Sequence, residues 1–359
     1  MDALPTRLEK LDEHLDELSS NPETPIDAVL FDHVELQVTE ANIPHLMPRL
    51  LPKVASILRK YQKDPQVLCS LALKLLQQAT LSQVLSLTSE EDLAGALQSP
   101  APSANILAME ILGKAAATPA EVAILSVSTP LVTGFLSCWL SSPDVGVGER
   151  GIKVLEALLE TDCPTAGNDI GGGDRMQLAK KRAPGHGKLW RRLFQDRDVF
   201  GLLIELLEGR HFDSTTQPQQ QSLAHGRILR LVPTLARINL AGITQCGFPE
   251  LLPKGRRAGG QTAGPDSLLH YVTLRMVDME DPLMRLSLVD FIETLVLELR
   301  SSEYSPAKVE TLRGLLRDAT AMDRSLTETL HTLPNRTEEA DVMTEWVNEV
   351  LPASATRVQ

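Results

Sequence analysis

Four residues, Gly185-His186-Gly187-Lys188, have the composition of a phosphate-cradling loop, in which backbone amides hold the anion and the lysine neutralises it. The spacing does not complete that chemistry. A P-loop needs Gly at position 182 and a hydroxyl after the lysine, and the sequence has Arg182 and Leu189. Gly146-Val147-Gly148 and Gly171-Gly172-Gly173 lack the strand–turn–helix setting of a dinucleotide fingerprint. Glu13-His14 has no second histidine one helical turn on, so the paired zinc ligands of a metalloprotease helix are missing. No Gly-x-Ser-x-Gly elbow presents a nucleophile. No catalytic, cofactor-binding or metal-binding residue is assigned, and the chain reads as a protein that is not an enzyme. Asn335-Arg336-Thr337 matches a glycosylation acceptor and reads as coincidence without a secretory route.

Cys69, Cys138, Cys163 and Cys246 are far apart, without Cys-x-x-Cys spacing, and read as buried thiols in a reducing compartment. The formal charge of −12 disfavours a nucleic-acid partner. Against it stands one basic cluster, Lys180-Lys181-Arg182 with Lys188, Arg191 and Arg192, read as an exposed loop, with a nuclear-import signal or a polyanion contact as the competing reading. Arg256-Arg257 reads the same way. Met1 to Leu18 is charged and has leucines at helical spacing, unlike a secretory signal, and no run approaches the ~18 apolar residues that cross a bilayer. A soluble protein of the cytoplasm, with the nucleus open to it, is expected, and no membrane partner.

The elements that would position any site are helical. Aromatics make up 4% of the chain while Leu and Ala recur throughout, which suits helix packing. Leu97-Gln98-Ser99-Pro100 is echoed 43 residues later by Leu140-Ser141-Ser142-Pro143. The same offset pairs Met109 with Ile152, Ile111 with Val154, Leu112 with Leu155, Ala115 with Leu158 and Ala116 with Leu159, one apolar helical face repeated. Helices over Pro119 to Ser126, Pro130 to Leu140 and Val147 to Thr161 give three per ~40 residues, the period of armadillo and HEAT units. Asp64-Pro65, Ser99-Pro100, Pro143-Asp144 and Asp281-Pro282 set proline beside a capping side chain before a helix.

The expected fold class is therefore all-α, an armadillo/HEAT-like α-solenoid. Capping helices occupy residues 1–38, repeats 39–162, a flexible glycine-rich basic loop 163–188, further repeats with loop insertions 189–300, and capping helices with a tail 301–359. Within the second repeat block the expected helices are Leu189 to Glu208, Leu223 to Leu240 and Asp266 to Met279, with His211 to Gln221 and Gly247 to Pro265 as loops. Leu283, Leu286, Leu288, Val289, Ile292, Leu295, Val296 and Leu299 form a wide stripe that neighbours should cover. Helices near Pro306 to Ala319, Asp323 to Thr332 and Glu338 to Val350 follow. Trp190, Leu193, Phe194, Val199, Phe200, Leu203 and Leu206 read as core, with a binding interface as the competing reading.

The stretches SPAPSANILAMEILGKAAATPAEVAIL, PLVTGFLSCWLSSPDVGVGERGIKVLEALLE and LWRRLFQDRDVFGLLIELL resemble the proteasome regulatory-particle assembly chaperones known as non-ATPase subunit five, a family whose fungal members are described as DNA mismatch repair proteins. The resemblance covers roughly residues 40 to 300. It implies a crescent of repeats whose concave face grips the C-terminal domain of an AAA+ ATPase subunit of the nineteen-S base, promotes base assembly and leaves, without hydrolysing ATP. The chain is short for that family, and glycine-rich insertions interrupt its middle. Independently of the family, the helical register nominates polar residues on the last helix of each unit as partner-binding: Lys74, Gln77, Glu110, Lys114, Lys153, Glu156, Asp290 and Glu293. A monomer before partner binding is expected. The competing function is another helical-repeat adaptor, such as a repair-complex or transport scaffold.

Overall fold

A computed structural model describes residues 4–21, 23–164, 184–254 and 266–351. Among the described residues there are eighteen α-helices and no strand. The first ten are α1 (Leu4–Ser20), α2 (Ala28–Glu35), α3 (Ile43–Leu58), α4 (Gln66–Leu75), α5 (Leu81–Leu85), α6 (Glu90–Leu97), α7 (Pro102–Gly113), α8 (Pro119–Val127), α9 (Thr129–Ser141) and α10 (Val145–Thr161). Then come α11 (Lys188–Phe194), α12 (Arg197–Leu207), α13 (Gln217–Thr244), α14 (Leu268–Leu274), α15 (Pro282–Ser301), α16 (Pro306–Met322), α17 (Ser325–Thr332) and α18 (Ala340–Val350). Two units divide the chain, Met1–Leu155 and Glu156–Gln359, the division falling inside α10. No single described helix is long and apolar enough to cross a membrane.

Helix starts are written in local side chains. Thr80 and Ser89 open α5 and α6 with reciprocal capping boxes to Gln83 and Asp92. Thr118 and Ser128 cap α8 and α9, each with proline in the first turn where its missing N–H costs least. Asp281-Pro282 works as expected, the carboxylate accepting from the Leu283 and Met284 amides. Asp144 accepts from Val147 at 2.9 Å to start α10. Ser99 and Asp64 act one step earlier, bonding Ala101 and Gln66 in the turns that lead into α7 and α4.

In the first unit, packing joins helices close in chain order: α1 with α2 and α3, α4 with α2, α3 and α7, α6 with α7 and α9, α5 with α8. Polar links obey the same period. Arg49 reaches Asp12 across 37 residues, Ser70 reaches Glu35 across 35, Ser103 reaches Asp64 across 39, Ser82 reaches Glu121 across 39 and Ser128 reaches Glu90 across 38. Such one-period contacts are what stacked helical repeats make, because each unit buries its face on its neighbour. The repeated face is buried as expected at Met109, Ile111, Leu112, Ala115, Ile152, Val154, Leu155, Leu158 and Leu159, while Ala116 is half-buried. A Cβ on Gly151 would lie 2.2 Å from Cδ1 of the fully buried Trp139, so α10 can approach α9 only through a glycine.

The second unit repeats the neighbour rule, with α13 against α14 and α15, α16 against α14, α17 and α18, and α15 against α17. Arg285 and Asp323 are joined across 38 residues and Arg300 and Glu339 across 39. Three expectations are corrected here. The span expected as one helix from Leu189 to Glu208 is two, because Asp196 turns its carboxylate onto the Asp198 and Val199 amides and starts α12 afresh. The segment expected as a loop from His211 to Gln221 is helical from Gln217, where Pro218 sits in the first turn and glutamines, good helix formers, follow. The stripe on α15 is only partly covered: Leu288, Ile292, Leu295, Val296 and Leu299 are buried, but Leu283 and Leu286 are 69% and 66% exposed, because they lie off the face that Met284 shares with the buried leucines.

Candidate functional site

The nominated residues of the first unit fall on adjacent rungs. Lys74 lies near the end of α4 and Gln77 in the turn after it, while Lys114 follows α7 in a single 3₁₀ turn, Lys114–Ala117. The Lys114 ammonium donates to the Gln77 carbonyl at 3.2 Å, tying the end of α7 to the end of α4. Burial lowers the Lys114 pKa, and the Glu110 charge opposes that shift. Glu110 is paired with Arg150 of α10 at 2.7 Å, and a Cβ on Gly113 would touch the Val154 side chain at 3.2 Å, so α7 and α10 are also adjacent.

At the other flank, Glu35 of α2 accepts from Ser70 of α4 at 2.8 Å. Burial raises the Glu35 carboxyl, while Ser70 and the Lys74 charge pull it back. Lys153 of α10 is exposed and makes no hydrogen bond or ion pair among the described residues. The row α4, α7, α10 thus carries Lys74, Gln77, Glu110, Lys114 and Lys153 together. Arg150 belongs to it, and Glu35 of α2 flanks it; neither was nominated. The signal for both was their distance along the chain, one repeat from Glu110 and from Ser70.

Glu156, one turn after Lys153, is half-buried in the second unit; burial raises its carboxyl, with Thr234, Arg237 and Arg230 opposing. On α15, Asp290 is exposed and Glu293 is clamped by both guanidinium nitrogens of Arg336. Glu293 is therefore committed to an internal pair, which leaves Asp290 as the more accessible of the two.

The glycine motif has a different role from phosphate binding. Gly185 donates to the Cys163 carbonyl at 2.8 Å and Gly187 to the Asp162 carbonyl at 2.9 Å. The fully buried Asp162 carboxylate accepts from the Leu189 and Trp190 amides at 2.6 and 3.2 Å. The start of α11, where an incoming anion would bind, is already filled by a carboxylate of the chain itself. A Cβ on Gly185 would sit 2.1 Å from the Asp162 carbonyl carbon, which explains the glycine without any ligand.

Lys180, Lys181, Arg182, Arg256, Arg257 and Gly171 to Gly173 lie outside the described residues. Of the rest of the basic cluster, Lys188 is exposed, Arg191 donates to the His186 carbonyl and Arg192 pairs with Asp196 at 2.7 Å. The aromatic stripe from Trp190 to Leu206 is core, with all seven side chains buried and the Trp190 indole donating to Leu159 at 2.9 Å. Cys69, Cys138 and Cys163 are buried free thiols, and Cys246 is half-buried. His225 and His270 are buried against the Leu207 carbonyl and the Ser267 hydroxyl. No group of three His, Cys, Asp or Glu side chains among the described residues is placed to hold a metal ion.

No curated protein matches the chain. A family model does: residues 6–137 match the one described as DNA mismatch repair protein HSM3, N terminal domain. The match runs from α1 into α9, within the first unit, and includes the rungs that carry Lys74, Gln77, Glu110 and Lys114. In its first unit the chain is thus similar to the HSM3 N-terminal domain family.

Proposed function

We propose that the protein is a non-catalytic scaffold that binds the C-terminal domain of an AAA+ ATPase subunit and promotes assembly of the base of the proteasome's nineteen-S regulatory particle. The observation that carries this reading is the coincidence of the family match with a continuous polar row on α4, α7 and α10. Stacked helices lay such a row out as an extended surface, on which many modest contacts add up to recognition of a folded domain. The protein binds as a monomer, in the cytoplasm and the nucleus, and acts by holding its partner; no residue of it takes part in bond chemistry. Pull-down of the full chain with each purified base ATPase C-terminal domain tests this. Capture of at least one is expected; capture of none overturns the reading.

The family description favours a second reading, a scaffold within a DNA repair complex. Affinity purification separates the two: proteasome ATPases co-purify under the first, repair proteins without them under the second.

A further inference from the structure

The row on α4, α7 and α10 has a charge pattern opposite to that of the chain. Lys74, Lys114 and Lys153 occur once per rung, near the C-terminal ends of α4 and α7 and on the corresponding part of α10. Their separations along the chain are one repeat, and the Lys114 bond to the Gln77 carbonyl with the Glu110–Arg150 pair fixes the rungs side by side. Arg150 is neutralised by Glu110, and Glu35 lies near Lys74, but among the described residues Lys153 makes no hydrogen bond or ion pair and Lys114 hydrogen-bonds only a neutral carbonyl, with the Glu110 charge nearby. A local positive stripe on a protein of formal charge −12 is therefore available to an outside acid.

We propose that this lysine ladder docks an acidic, extended peptide segment of the partner, laid across the three rungs. Adjacent packed helices lie about 8–10 Å apart. An extended chain rises about 3.3 Å per residue, so a carboxylate at every third residue meets a new rung. Nucleic acid fits less well, because a long polyanion spreads beyond the stripe into the repulsive field of the acidic surface, where screening takes effect only over about 8 Å. The inference rests on the reading of this row as a docking surface, and it adds what that surface recognises.

The test uses the full chain and a fluorescein-labelled dodecapeptide with glutamate at every third position and serine elsewhere, read by fluorescence anisotropy. Binding at low salt that weakens as salt rises is expected. K74E/K153E should weaken it at least about tenfold, and K153E alone, at an exposed side chain, about threefold. K60E/K188E changes the net charge equally, and also reverses a member of the basic cluster around Lys188; it should stay within about twofold. No binding by the wild type, equal weakening by the two double variants, or equally tight binding of a single-stranded DNA dodecamer would each overturn the proposal. ATPase-domain capture is scored separately. Its loss with peptide binding intact sinks the ATPase reading alone, and its persistence with no peptide binding sinks the ladder alone.

Discussion

Removing the Asp162 carboxylate tests whether the glycine motif is an internal capping device. Its Oδ2 is the acceptor for two amides at the start of α11, and the residue is 0% exposed, so water cannot replace it. Loss of a cap costs about 0.5–2 kcal/mol, and each buried amide left without an acceptor about 1–3 kcal/mol. The two overlap, so Asp162→Ala should cost about 2–4 kcal/mol. At about 2–4 °C per kcal/mol for a unit of this size, the midpoint falls by roughly 5–15 °C. Circular dichroism at 222 nm gives the midpoint. Tryptophan fluorescence adds a local report, because the buried Trp190, one of three tryptophans, carries one of the two capped amides. Asp162→Asn keeps an accepting oxygen and should lose less than about 1 kcal/mol. A wild-type midpoint for Asp162→Ala, or equal damage from both variants, would refute the reasoning.

Gly151→Ala should lower the midpoint by about 3–10 °C, since its new Cβ meets the immobile Trp139 ring and overpacking costs about 1–3 kcal/mol. Gly185→Ala should be worse, because the obstruction is the Asp162 backbone, which cannot rotate away; soluble yield and midpoint report both. Acid sensitivity follows from Asp323, whose carboxyl is held below the ordinary range first by the hydrogen bonds from Arg285 and then by those from Ser325, against the opposing effect of burial. A depressed folded-state pKa gives stability that is full above the unfolded value, about 3.9, and is lost as pH falls through the folded one. The deficit of Asp323→Asn relative to wild type should therefore be constant from pH 7 to pH 5 and shrink toward pH 2; a deficit unchanged at low pH would contradict the pairing. Arg59 holds Asp92 low in the same way, so Asp92→Asn should behave alike in urea titrations across that range.

Helices with a strong 3.6-residue period were legible in the sequence, and α8, α9 and α10 fall within two residues of their expected ends. What failed was local chemistry overruling composition. Asp196 divides a span read as one helix by capping a second, and the polar Gln217 to Gln221 segment is helical although it reads as loop. That α4, α7 and α10 lie side by side was legible because each was read as the last helix of a repeat unit. On α15 the period was right but the stripe was drawn too wide, since Leu283 and Leu286 lie off the face on which Met284 and Leu288 are buried. Asp162 could not have been found, because its partners Leu189 and Trp190 are brought to it only by the fold, across 27 and 28 residues.

Amide hydrogen exchange of the full chain, alone and with whichever ATPase C-terminal domain it captures, tests the docking surface most directly. The account predicts new protection concentrated at the end of α4, the Lys114–Ala117 turn and the middle of α10. Protection confined to helices outside that row, with none on it, would contradict the account.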